Sequence, residues 1–208
     1  MRKILWNITW LIIRPLLRIF CGLEVKGLEN FQNLKSPLIV AAAIHANYID
    51  SYVLGAALPF NSPLFPIRYM TAPEYIRMPL LGWFIRAYGA YPLEKDVNLE
   101  KTLEKSVYLL KEKQAVGVFV EGRLSKDGFF QAIKPGAAFL ALKTNLPVLP
   151  VGMSGTFGLT LLNFLLRRKK IKVVFGQPIF PAKETALIDK DSVGEFTQLI
   201  NKKIRELI

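Results

Sequence analysis

Cysteine and histidine are nearly absent from this chain of 208 residues, and acids are outnumbered. There is one cysteine, Cys21, and one histidine, His45. A lone cysteine excludes an internal disulfide and any cysteine-rich zinc site, and a lone histidine leaves few ligands for a catalytic metal. No metal site is therefore expected. Against 28 Lys and Arg stand 16 Asp and Glu, a formal net charge of +12. No internal repeat or low-complexity tract is evident. Zinc spacing, an RNP-like strand and a helix-turn-helix pattern are all missing, so the charge does not point to nucleic acid.

What the chain has is grease together with positive charge. Hydrophobic residues make up 51% of it, and the mean hydropathy is +0.28. A basic, apolar surface fits an anionic lipid headgroup layer better than a nucleic-acid groove. The length suits one domain with a substantial core. Residues 1–30 read as a membrane-interface helix with its linker, and residues 31–208 as the main domain.

The N-terminal segment imitates a signal peptide or an anchor, with Arg2 and Lys3 leading an apolar run to Phe20. Arg14, Pro15 and Arg18 interrupt that run, and Arg18, Ile19 and Phe20 are poor residues before a lipoprotein-type cysteine. On a helix of about 100° per residue, Lys3, Asn7, Arg14 and Arg18 fall within about 60° of one another. The expectation is a helix partly immersed in one leaflet, its cations at the headgroups and its apolar remainder in the acyl region. The alternative is an ordinary packing helix.

Apolar runs and periodicity then alternate between strand and helix. Residues 37–43 read as a buried strand, followed by His45 and by a helix starting at Asp50 and running to about residue 58. Further strands are expected over 66–71, 90–93, 115–120, 147–151 and 171–175. Helices are expected over 78–86, 99–113, 137–144 and 195–207, with Asp96 or Asn98 available to cap the second. Residues 159–166, ahead of Arg167-Arg168-Lys169-Lys170, are either a second membrane-facing segment or a core helix. The alternation gives an α/β fold with a mostly parallel central sheet flanked by helices. Ligands gather at the carboxyl edge of such sheets, where His45 is expected.

Two constellations carry chemistry. In His45-Ala46-Asn47-Tyr48-Ile49-Asp50, a carboxylate five residues after an imidazole can hold one ring nitrogen and aim the other at a substrate hydroxyl. In Val118-Phe119-Val120-Glu121-Gly122-Arg123-Leu124-Ser125, a strand delivers an acid, a glycine, an arginine and a hydroxyl into one turn. Gly122 permits a sharp bend, Arg123 can grip a phosphate in a planar fork, and Glu121 can receive a substrate hydroxyl or fix the arginine. Lys134-Pro135-Gly136-Ala137 opens a small-residue helix whose first N–H groups can face an anion.

These blocks resemble the glycerophospholipid acyltransferase family, of the 1-acylglycerol-3-phosphate acyltransferase type, from about residue 37 to 178. They stand in the family's order: the H-x4-D block from His45 to Asp50, then Gly82-Trp83-Phe84-Ile85-Arg86 through Gly89-Ala90-Tyr91-Pro92-Leu93-Glu94-Lys95, then Phe119 to Ser125, then Leu146-Pro147-Val148-Leu149-Pro150-Val151-Gly152. Three departures stand out. Ile44 occupies a usually polar place, and Lys95 replaces an arginine. The third block has Val120 for proline, with its arginine one place early at Arg123. They leave open which lysophospholipid headgroup is accepted.

The resemblance implies a membrane-associated enzyme that moves a fatty acyl chain from coenzyme A or acyl carrier protein to a lysophospholipid hydroxyl. The acceptor it points to is 1-acylglycerol-3-phosphate, giving phosphatidic acid. His45 and Asp50 would be catalytic, and Lys95, Glu121, Gly122, Arg123 and Ser125 would bind substrate. The thioester is a co-substrate, not a cofactor. The expected place is the cytoplasmic face of the cell membrane, peripheral or monotopic. The alternatives are another lysolipid headgroup or a non-catalytic lipid-binding protein.

Overall fold

Residues 38–43 are almost wholly aliphatic, and all five residues of strand β2 (Ile39–Ala43) are buried. A strand buried on both faces belongs in the middle of a sheet covered twice. The structure, a computed structural model, describes residues 2–32, 34, 38–94, 97–181 and 188–208. Its sheet has seven strands in the order β1-β7-β6-β2-β5-β3-β4. Besides β2 these are β1 (Glu24–Lys26), β3 (Arg68–Thr71), β4 (Tyr91–Pro92), β5 (Val116–Phe119), β6 (Val148–Ser154) and β7 (Lys172–Phe175). β2 runs parallel to both neighbours, β5 and β6. β7 is antiparallel to β6, so the mostly parallel sheet has one reversed pairing.

The helices are α1 (Arg2–Cys21), α2 (Asp50–Ala57), α3 (Pro73–Arg77), α4 (Pro79–Ala87), α5 (Leu99–Lys111), α6 (Gly136–Thr144), α7 (Leu161–Leu165) and α8 (Lys190–Arg205). Asn98 caps α5, its side chain accepting from the Lys101 N–H; Asp96 lies outside the described residues. Alternation along β2 splits the core in two. Val40 and Ala42 pack with Trp6 and Leu17 of α1 and Val53 and Leu54 of α2. Ile39, Ala41 and Ala43 pack with Leu103 of α5, Leu140 of α6 and Ile200 of α8. The molecule is thus three layers, helix on sheet on helix.

Two features differ from the sequence reading. Residues 24–26, within the expected N-terminal linker, form β1 and pair with β7 at the sheet edge. The basic stripe of α1 does not face outward as one. Arg14 is buried with Trp6, Leu17 and Cys21, while Ile4, Ile8, Leu11, Ile12, Leu16 and Ile19 are exposed. A guanidinium can go inward there because it meets backbone carbonyls of α2, which replace its water. Of the expected stripe, Arg14 alone turns fully inward, while Lys3 and Arg18 stay exposed beside the outward apolar residues.

Candidate active site

β2 ends at Ala43 and β5 at Phe119, side by side and parallel. The chain leaves β2 into α2 on one face of the sheet and leaves β5 toward α6 on the other. Between the two departures lies the kind of crevice in which α/β proteins bind ligands.

The turn out of β2 is sharp. Ile44 has φ 62, a conformation that β-branched residues avoid and that costs about 1–3 kcal/mol. Glu121 holds this turn from the one that follows β5. Its Oε2 accepts from the His45 backbone N–H at 3.0 Å, and its Oε1 from the Gln131 N–H at 2.8 Å. The side chain is buried. Both oxygens are thus engaged by the protein's own backbone.

His45 lies at the mouth of this turn. Its Nδ1 is 3.0 Å from Asp50 Oδ2. The same oxygen accepts the N–H of Ala46 at 2.7 Å and of Asn47 at 2.8 Å. Asp50 opens α2 and is fully buried, whereas the His45 side chain is 21% exposed. With Nδ1–H donating to the carboxylate, Nε2 is the ring's acceptor. One face of the imidazole stacks on Phe119, with centroids 3.9 Å apart and planes 12° apart. Phe119 in turn stacks on Tyr69 at 5.6 Å. Gly117 makes room for Tyr69: a Cβ there would lie 2.2 Å from its ring. Burial, and then the charge of Asp50, pushes the Tyr69 phenol up, so it stays protonated.

The turn after β5 is organised by Ser125 and Asp127. The Ser125 N–H donates to the His45 carbonyl at 2.6 Å. Ser125 Oγ donates to Asp127 Oδ1 at 3.1 Å and accepts from the Gly128 N–H at 3.0 Å. The Phe129 N–H, the largest influence, holds the Asp127 carboxyl below its ordinary range, helped by Ser125 and Gln131. Gly122 has φ 64, and a Cβ on it would lie 2.7 Å from Lys134 Cδ and 3.3 Å from Nζ. Arg123 and Lys134 are both exposed at this turn. Beside β4, a shallow open cleft is lined by Pro73, Ile76, Arg77, Pro92, Leu93 and Glu94.

The residues expected from the sequence thus separate. His45 and Asp50 come together as a bonded pair. Gly122 and Arg123 stay on the open side of the turn. Glu121 and Ser125 are both buried and bonded within the turn. Lys95 lies outside the described residues. Among the described residues, no group of three or more His, Cys, Asp or Glu is arranged to hold a metal ion. Sequence reasoning missed Phe119 and Tyr69 as the floor under His45, and Lys134 over Gly122. The available signal was Gly117: a glycine inside a strand marks a close approach.

Comparison with known proteins gives this geometry a context. The model of the family described as Acyltransferase matches residues 22–154, more than half of the chain. A 1-acyl-sn-glycerol-3-phosphate acyltransferase of Bacillus subtilis is 26% identical over 94% of this chain and 92% of its own length. A chloroplastic protein of Brassica napus with the same activity in its name is 26% identical over 88% of this chain, which spans 53% of that protein. The crystal structure of the 1-acyl-sn-glycerophosphate acyltransferase PlsC from Thermotoga maritima shares the fold, with a TM-score of 0.72 at 22% identity, over 99% of this chain and 80% of that one. With four sequence blocks in order and a buried carboxylate holding the single imidazole at the sheet's carboxyl edge, the chain belongs to the Acyltransferase family and is an acyltransferase.

Proposed function

We propose that this protein transfers a fatty acyl group from a thioester of coenzyme A or acyl carrier protein to the free hydroxyl of 1-acylglycerol-3-phosphate, giving phosphatidic acid. The observation that carries the reading is the 3.0 Å contact between His45 Nδ1 and the fully buried Asp50. It leaves Nε2 as a base on the open side of the ring. The acceptor hydroxyl gives its proton to Nε2 as its oxygen attacks the thioester carbonyl carbon. The carbon–sulfur bond breaks, and the imidazolium returns the proton to the departing thiolate. Asp50 fixes the tautomer and offsets the positive charge that develops on the ring. A thioester is already activated, so neither a protein nucleophile nor a resident cofactor is required.

For the acceptor, Arg123 and Lys95 would hold the phosphate, assisted by Lys134 over Gly122. Gly122 gives the headgroup close access to the turn. Glu121 and Ser125 would serve binding indirectly, by keeping the turn in shape.

A membrane-surface location is part of the same proposal. It is supported by the outward apolar face of α1, a helix long and apolar enough by composition to cross a bilayer. Its packing against α2 favours lying flat over spanning. Leu80 and Trp83 of α4 and Leu161 and Leu162 of α7 are also exposed. α1 joins the two helices, touching Tyr88 beyond α4 through Trp6 and Phe164 of α7 through Phe20. Exposed Arg2, Lys3, Arg18, Arg167 and Arg168 rim this surface. Such a surface suits immersion to the headgroup level of an anionic, cytoplasm-facing leaflet.

The test is a panel of lysolipids offered with acyl-CoA and with acyl-ACP, products identified by mass. Phosphatidic acid formed from 1-acylglycerol-3-phosphate, faster than product from choline or ethanolamine lysolipids, supports the reading. Preference for a different headgroup would replace the acceptor, and no thioester-dependent product from any pair would overturn the reading.

A further inference from the structure

Arg14 is the anomaly of α1. The helix exposes isoleucines and leucines, yet this arginine is only 8% exposed. Its Nη1 donates to the carbonyls of Ala56 at 2.6 Å, Ala57 at 3.2 Å and Leu58 at 3.0 Å. Trp10 Nε1 donates to the Leu58 carbonyl as well, at 2.8 Å. Those carbonyls close α2. The last carbonyls of a helix have no partner within it, and a cation at that end also meets the negative pole of the helix dipole.

α2 needs this help. It has eight residues, well short of the about 12–15 at which an isolated helix becomes marginal in water. Trp6 of α1 also seats on it: a Cβ at Gly55 would lie 2.1 Å from the indole. At its other end, α2 begins with Asp50, whose Oδ2 holds His45, Ala46 and Asn47. At about 1.5 Å per residue the two ends are about 12 Å apart. A helix this short has little stability of its own, so loosening its carboxyl end loosens the whole element, the carboxylate included.

We propose that Arg14 is a positioning residue for the reaction: clasping the last carbonyls of α2, it holds that helix, and with it Asp50, in register with His45. The surface helix is then part of the catalytic machinery and not only an anchor. This rests on the acyltransferase reading of His45 and Asp50.

The experiment compares full-length wild type with Arg14→Met, Arg14→Lys and Trp10→Phe on phosphatidylcholine vesicles containing phosphatidylglycerol. It measures kcat and KM for thioester and lysolipid, and amide hydrogen exchange along the chain. In Arg14→Met, kcat falls about 10- to 100-fold, the scale of an ångström-level misplacement, while KM changes by less than about twofold. Exchange over residues 50–58 accelerates by about tenfold or more while β2 and β6 keep their protection. Millimolar guanidinium restores part of both rate and protection. Arg14→Lys and Trp10→Phe lie between, and they carry the comparison should Arg14→Met not fold.

Wild-type kcat with unchanged exchange over 50–58 would overturn the proposal. So would a uniform rise of exchange across the sheet without guanidinium rescue, which marks general destabilisation. The exchange arm needs no substrate: an inactive wild type counts against the acyltransferase reading, whereas an α2 indifferent to Arg14 counts against the clasp.

Discussion

Asp50 and Glu121 are both buried beside His45, but they hold it by different atoms. Asp50 binds the ring at Nδ1, and Glu121 binds the backbone N–H. Glu121 also receives the Gln131 N–H, so its two oxygens tie together the turns that follow β2 and β5. Glu121→Gln puts an NH₂ group where one oxygen was, and it must face one of those two N–H groups. The unsatisfied buried donor costs about 1–3 kcal/mol. A thermal melt should show a drop of about 2–4 °C per kcal/mol, and kcat should fall about tenfold or more as His45 shifts. A melt and a rate both like wild type would show that Glu121 does not brace the turn. The left-handed Ile44 next to His45 is the kind of strain such a brace offsets.

Among the elements, those set by local pattern were legible in the sequence and those set by distant partners were not. The aliphatic run of β2, the position of His45 past its end and the start of α2 at Asp50 follow from hydrophobic pattern and chain order. So does the Asn98 cap on α5. β1 escaped notice because it is three half-exposed residues that pair with β7, far along the chain. The inward turn of Arg14 depends on carbonyls 42 to 44 residues away, which no helical projection contains. Likewise the N–H groups that Glu121 receives, one of them 76 residues distant, are not visible in the local sequence. The loop after β5 has its own test. The Asp127 carboxyl lies below its ordinary value of 3.8 in the folded protein, so its contribution is fully present above that value. It is lost as pH falls through the lower, folded value. Asp127→Asn should therefore reduce melting temperature at neutral pH, with the gap from wild type closing as pH falls below 3.8 and through the lower, folded value. A gap that does not change with pH would contradict the role given to its charge.

On the scale of the whole molecule, two properties are joined: an outward apolar surface along α1, α4 and α7, and a histidine–carboxylate pair in the sheet crevice. The first predicts that the protein floats with anionic vesicles and is released progressively by salt. Leu11→Asp with Ile12→Asp should weaken that binding about tenfold or more, leaving the His45–Asp50 contact untouched. Salt-insensitive binding to neutral vesicles would point instead to a purely hydrophobic anchor. The second property carries the central claim, that His45 takes the acceptor's proton during acyl transfer. The most direct measurement is the initial rate of thiol release from acyl-CoA in the presence of 1-acylglycerol-3-phosphate, for wild type and for His45→Ala on the same vesicles. A rate lower by about 10²- to 10⁴-fold is expected in the variant, with vesicle binding unchanged. Equal rates in the two proteins would contradict it.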